Sequence, residues 1–219
     1  MNTNPKNVKD DDIEAFFFTS LEESLTDKGL LDDLIRLKEL QERRLFLVDE
    51  ISDDTVTPIV KAIMRYNIED KGKEKEERKP IVLYLDTVGG EVTSGYRLID
   101  TIVWSKTPVH IVNMGTCYSM GFYIFIAGDV RYASKNARFL LHDGTTGCSN
   151  STGKARDFIE FNDRVESRIR DDVLTWTNIT KDIYDSKIRT EWYMFADEAK
   201  SLGIVDKIVG IDCEFDEII

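Results

Sequence analysis

Along this chain the apolar residues fall into two kinds of pattern, spaced by three or four positions in some stretches and massed in short runs in others. Residues 30–44 (LLDDLIRLKELQERR) place Leu31, Leu34, Ile35, Leu37 and Leu40 at a helical spacing. Leu45 to Val48 is a short apolar run bounded by charged residues and predicts a buried strand, after which Val56 to Ile68 returns to a helical period. Residues 69–79 (EDKGKEKEERK) contain no apolar residue and read as a solvated connection. Ile81 to Leu85 is continuously apolar, as in a strand covered on both faces, and Gly89-Gly90 breaks it before a helix that runs to about Trp104. A second such strand is predicted over Val109 to Met114, with a helix starting near Ser119, and short strands over Val130 to Tyr132 and Arg138 to Leu141. This alternation predicts an α/β fold with parallel strands joined by crossover helices.

Residues 152–178 carry Phe158, Phe161, Val165, Ile169, Val173 and Trp176 three or four apart. A helix of about 25 residues is roughly 37 Å long, more than a small domain covers by itself, so its stripe lies against its own domain or against a partner subunit. A short helix over Ala196 to Leu202 and a strand at Ile208-Val209 close the pattern. With no internal repeat and no low-complexity linker, one domain is expected over 30–212, between an N-terminal extension over 1–29, polar and mobile in its first dozen residues, and a tail over 213–219.

Composition narrows the function classes. The chain has 219 residues, 42% of them hydrophobic, enough for one sizeable core. Its formal net charge of -12 argues against a nucleic-acid binder, which needs a basic patch, and reads as solubility. Three cysteines, Cys117, Cys148 and Cys213, without a C-x-x-C pair indicate neither a disulfide framework nor a metal site. The first residues do not read as a signal peptide and no run reaches membrane-spanning length, so the expected compartment is the cytoplasm.

Two histidines are present. His110 sits inside an apolar strand. His142 ends the run Phe139-Leu140-Leu141 just before Asp143-Gly144, a turn signal, where sheet enzymes present catalytic groups. Taken alone, His142 is read more readily as a satisfied edge histidine. Ser119, in GTCYSMG, falls at a strand-to-helix turn that would expose its hydroxyl and aim helix-start N–H groups at an oxyanion; an ordinary helix cap explains it equally well. Gly89-Gly90 is either a turn pair or a close backbone approach to substrate with one N–H aimed at a carbonyl oxygen, and an extended peptide could pair along Glu91-Val92. The joint order of Gly-Gly, turn serine and strand-end histidine favours the functional readings. It differs from an α/β-hydrolase, where an acid precedes a final histidine.

At these motifs the chain resembles the ClpP family, the proteolytic subunits of ATP-dependent Clp proteases. The resemblance rests on LFLVDEI (45–51), IVLYLDTVGGEVTSGYRLIDTI (81–102), NMGTCYSMG (113–121), NARFLLHD (136–143) and FADEAKSLGIVDKIV (195–209). It implies a crotonase-like α/β fold of repeated β-β-α units with a long handle helix over about 152–178. It further implies a serine endopeptidase with Ser119 as nucleophile, His142 as base, Gly90 and Met120 as oxyanion-hole N–H donors, and no metal or other cofactor. Gly89, Glu91, Val92, Asp143 and Gly144 would line the substrate path. The orienting acid falls at Glu191, where the family usually has Asp, with Asp185 as the alternative. Val88 and Asp143 stand where the family has prolines, and Ser134 replaces an apolar residue.

The same resemblance implies self-association into two stacked heptameric rings around a chamber, unfolded polypeptides as substrates, and a Clp-type AAA+ unfoldase as partner. Tyr84, Trp104, Met114 and Tyr132 would fall near its docking pockets, or else be plain core. Two further readings stand beside this one. One is an inactive scaffold subunit of a mixed ring, supported by the glutamate at 191. The other is a crotonase-type enzyme acting on acyl-CoA thioesters, which would share the oxyanion hole and need no serine.

Overall fold

In a computed structural model of the protein, residues 28–218 are described, and the chain divides into two compact units after Arg43. The N-terminal extension, apart from its last two residues, lies outside the described residues. In the first unit, helix α1 spans Lys28–Gln41.

The second unit is a mixed α/β structure on a seven-stranded sheet. Strand β1 (Arg44–Leu47) leads to α2 (Asp53–Glu69), whose start is fixed by a reciprocal cap. Ser52 N–H donates to Thr55 Oγ1 at 3.0 Å and Thr55 N–H donates to Ser52 Oγ at 3.4 Å. The apolar period seen in the sequence becomes the buried face Val56, Ile59, Ala62, Ile63 and Tyr66. The charged segment that follows holds one 3₁₀ turn at Lys75–Glu77. Strand β2 (Ile81–Thr87) is buried on both faces except at Asp86, as its unbroken apolar run predicts. Then come α3 (Val92–Trp104), β3 (Val109–Tyr118), α4 (Met120–Ile126), β4 (Val130–Ser134) and β5 (Arg138–Leu141).

The remaining elements are α5 (Thr152–Trp176), α6 (Lys181–Lys187), β6 (Trp192–Phe195), α7 (Ala196–Ser201) and β7 (Lys207–Val209). The sheet path β1-β2-β3-β4-β7 is parallel throughout, and β5 and β6 branch from it. This is the expected α/β class with crossover helices. Among the 25 residues of α5 only Val173 is buried, so the long helix leaves the body as a handle rather than lying along it. Tyr96 anchors its inner end, donating to Asp172 Oδ2 at 2.9 Å.

Strand β3 is where sequence and structure diverge usefully. The expected strand ends at Met114, but β3 continues to Tyr118 because it changes partners. Residues 110–113 pair with β4, and Thr116 to Tyr118 pair with β5. The break is a bulge: on β2, Leu85 and Thr87 face Asn113 and Cys117. Two side chains satisfy the displaced backbone. Asp86 Oδ1 accepts from Thr116 N–H and from its hydroxyl, both at 2.8 Å. The fully buried Asn113 donates to Arg138 O at 3.1 Å and accepts from Gly115 N–H at 3.0 Å. The bend aims the end of β3 at β5, the strand that His142 directly follows.

The tail folds back on the sheet. Asp212 accepts Ile208 N–H at 2.7 Å, and Cys213 and Ile218 pack onto Val82, Tyr84, Val112 and Tyr132.

Candidate active site

Ser119 stands between β3 and α4 with φ 53° and ψ -121°. L-residues rarely adopt this backbone and occupy it at a cost of about 1–3 kcal/mol, a kind of strain that clusters at functional turns. Its hydroxyl caps nothing, so the helix-cap alternative fails at this position. The turn is held from the histidine strand, since Ser119 N–H donates to Leu140 O at 3.0 Å, two residues before His142. Cys117, beneath it, is fully buried; burial and then Asp86 push its thiol pKa well up, so it is no competing nucleophile.

The Gly-Gly turn sits directly against the serine. Gly89 has φ 104°, and a Cβ there would stand 2.8 Å from both Ser119 Cβ and Tyr118 O and 3.2 Å from Met120 N. Gly90 has φ 149°, and its Cβ would meet Ile51 O at 2.2 Å. Ile51 N–H donates to Gly89 O and Glu91 N–H to Ile51 O, both at 2.8 Å, which pins the turn. Among the described residues Gly90 N–H has no acceptor, and Met120 N–H, at the first helical position, has none within its helix. These are the two amides expected to face an oxyanion.

The expectation for Glu91-Val92 needs correction. Val92 opens α3 instead of extending a strand, and Glu91 spends its N–H on Ile51 O and its carbonyl on Gly95 N–H. A peptide strand therefore finds no Glu91 backbone group to pair with.

His142 follows β5 and is partly exposed. Its Nδ1 lies 2.9 Å from Glu191 Oε1, and Tyr193 donates its hydroxyl to Glu191 Oε2 at 3.2 Å. The contact with His142, and to a lesser degree Tyr193, holds the Glu191 carboxyl below its usual pKa range. Strands β5 and β6 are antiparallel, with Leu141 opposite Trp192, so base and acid emerge side by side. Asp143 N–H donates to Ile188 O at 2.8 Å, and Arg189 pairs with the Asp143 carboxylate at 3.6 Å, which clamps the segments beside the pair. Asp185, the alternative acid, is on α6 and is engaged by Lys181. Gly144 is exposed at the start of the irregular segment leading to α5. Among the described residues neither Ser119 Oγ nor His142 Nε2 has a hydrogen-bond partner. Catalytic hydrogen bonds are often absent before substrate tightens a site.

A sequence profile described as Clp protease matches residues 22–212. The chain belongs to the Clp protease family. Clp proteases are serine-type peptidases, and the match spans the second unit through β7. The "ATP-dependent Clp protease proteolytic subunit 1" of Chlamydia pneumoniae is 29% identical over 185 residues, covering 82% of this chain and 93% of that protein. The "ATP-dependent Clp protease proteolytic subunit 2" of Treponema pallidum (strain Nichols) is 26% identical over 174 residues, covering 78% and 84%.

The remaining candidates separate. Tyr84 and Tyr132 are buried, in the cluster closed by Cys213 and Ile218. Met114 is exposed, and Ser134 donates to its carbonyl at 3.2 Å. Trp104 is 75% exposed and borders a cleft of about 470 Å³ with Met64 and Ile68. His110 packs against the Tyr132 ring, and burial pushes its pKa down. Sequence reasoning missed Asn113, Asp86 and Tyr193. Asp86 was detectable as a lone acid in an otherwise apolar strand; Asn113 and Tyr193 had no such signal. Among the described residues no helix is long and apolar enough to cross a membrane.

Proposed function

We propose that this protein is the proteolytic subunit of an ATP-dependent Clp-type complex, cutting unfolded polypeptides through Ser119, His142 and Glu191. The observation that carries the reading is the 2.9 Å contact of His142 Nδ1 with Glu191 Oε1, beside a serine in a strained turn bonded to the histidine strand. His142 Nε2 takes the proton of Ser119 as its Oγ attacks the peptide carbonyl. The Gly90 and Met120 amides hold the oxyanion, and the same imidazole then protonates the leaving amine. Water, activated by His142, hydrolyses the acyl-enzyme. Glu191 keeps the imidazole in one tautomer and stabilises its charge. Gly89, Val92, Asp143 and Gly144 border the substrate path. The sequence of steps needs no metal or cofactor.

Membership in the family supports oligomerisation and partnership with a Clp ATPase. We place the former in two stacked seven-membered rings meeting through α5, whose Phe158, Ile159 and Phe161 are exposed, and the latter at the Trp104 cleft, in the cytoplasm. The test is hydrolysis of a short fluorogenic peptide by wild type, Ser119→Ala, His142→Ala and the double variant. Each single change is expected to abolish turnover about as fully as both together, because the groups act as one unit. Additive losses would argue against the triad. A wild type that neither hydrolyses peptide nor takes up a serine-reactive fluorophosphonate would favour an inactive scaffold subunit instead.

A further inference from the structure

We infer that Tyr193 is the positioning residue that lets a glutamate serve as the orienting acid of this site, an inference that rests on the Ser119–His142–Glu191 reading above. Glutamate has one more rotatable bond than aspartate, and Glu191 is 57% exposed at its side chain, so water and rotation both compete for its carboxylate. With one oxygen facing His142 and the other free, the carboxylate could swing away from the imidazole. The second oxygen is not free: Tyr193 Oη donates to Glu191 Oε2 at 3.2 Å while Oε1 meets His142.

The donor is itself held. The sheet register sets Tyr118, Leu140 and Tyr193 in one row across β3, β5 and β6. Tyr193 packs edge-on against the Tyr118 ring, with centroids 5.7 Å apart, a geometry aromatic pairs favour. Tyr118 immediately precedes Ser119. One side chain thus ties the acid to the nucleophile's own strand: its hydroxyl fixes the Glu191 rotamer and its ring is fixed by the residue beside the serine. The hydrogen bond of Tyr193 goes to Glu191 and not to Ser119 or His142, so its effect on the reaction runs through Glu191.

The test is a double-mutant cycle in peptide hydrolysis with wild type, Tyr193→Phe, Glu191→Ala and the pair, read as kcat and KM separately, with melting temperature as a control. Phenylalanine keeps the ring and its packing and deletes only the donor. Tyr193→Phe is expected to lower kcat by roughly three- to tenfold, the range one hydrogen bond supplies, with KM and melting temperature unchanged. In the Glu191→Ala background the same substitution is expected to do nothing further. The inference is overturned if Tyr193→Phe leaves kcat at the wild-type value, if it lowers kcat equally with and without Glu191, or if its loss tracks a lowered melting temperature. Those outcomes occur with an active wild type and a dead Ser119→Ala. An inert wild type instead removes the peptidase reading and this inference with it.

Discussion

Replacing Ser119 by alanine or by glycine removes the same nucleophile, yet the two variants should differ in stability. Ser119 has φ 53° and ψ -121°, and its hydroxyl has no hydrogen-bond partner among the described residues. Alanine therefore keeps the backbone strain and loses no bond, while either variant retains the amide that donates to Leu140 O. Glycine adopts this conformation freely and relieves about 1–3 kcal/mol. It gives back about 0.5–1 kcal/mol through the greater freedom of the unfolded chain. The net difference is roughly 0–2.5 kcal/mol in favour of Ser119→Gly. At about 2–4 °C per kcal/mol for a chain of this size, its melting temperature should be a few degrees higher. Calorimetric scans of the two inactive variants at equal protein concentration make the comparison clean, since any oligomer couples stability to concentration. If Ser119→Gly melts below Ser119→Ala, the turn is relaxed, and the claim that a strained backbone presents the serine fails.

Glu191→Ala should cut peptide hydrolysis by roughly 10²- to 10⁴-fold, while Asp185→Ala, which loses only its exposed pairing with Lys181, should stay near wild type; equal losses would reassign the orienting acid. Asn113→Ala strips partners from the Arg138 carbonyl and the Gly115 amide beneath the site, so unfolding should cost about 2–4 kcal/mol less in denaturant titration, with slower fluorophosphonate labelling of Ser119. Burial raises the Asp172 pKa, so this carboxyl holds its proton more tightly folded than unfolded. Its contribution to stability falls as pH rises from the ordinary carboxylate range through the raised value. Asp172→Asn should flatten that limb of a stability–pH curve while still accepting from Tyr96, whereas Asp172→Ala should lose about 1–2 kcal/mol at every pH by orphaning the Tyr96 hydroxyl.

What the sequence made legible followed from strong local signals. The apolar run of β2, the three-to-four spacing of α2 and α5, and the Gly-Gly, Ser119 and His142 positions all carry patterns that survive into the structure. The second half of β3 did not, because Gly115-Thr116-Cys117 has no strand period of its own and is extended only where β5 supplies a partner. Helix α6 and strand β6 were missed because seven and four residues are too few for a period to show; tertiary pairing defines them. Tyr193 was unreadable for a related reason. Its place beside Glu191 depends on the β5–β6 register, and its place beside Tyr118 on a row spanning three strands. The helix after Gly-Gly was legible, but the idea of a peptide pairing along Glu91-Val92 was not compatible with it, because Glu91 already caps that helix with its carbonyl and bonds Ile51 with its N–H.

The hydrogen bond from Asp143 N–H to Ile188 O has a consequence for how this architecture can vary. The chain leaves the sheet just before its base and rejoins it just after its acid, and this bond draws the two ends together like the neck of a purse. Whatever lies beyond the neck can change length at little thermodynamic expense, since closure entropy grows only with the logarithm of loop size. The turns of α5 ahead of Asp172 could be lengthened, trimmed or replaced by another module while β5 and β6 stay in register. A single residue added or removed within Trp192–Phe195 would instead shift the β5–β6 register and displace the acid from beside the base. Length variation among relatives, and insertions in the laboratory, should therefore gather on the far side of that bond.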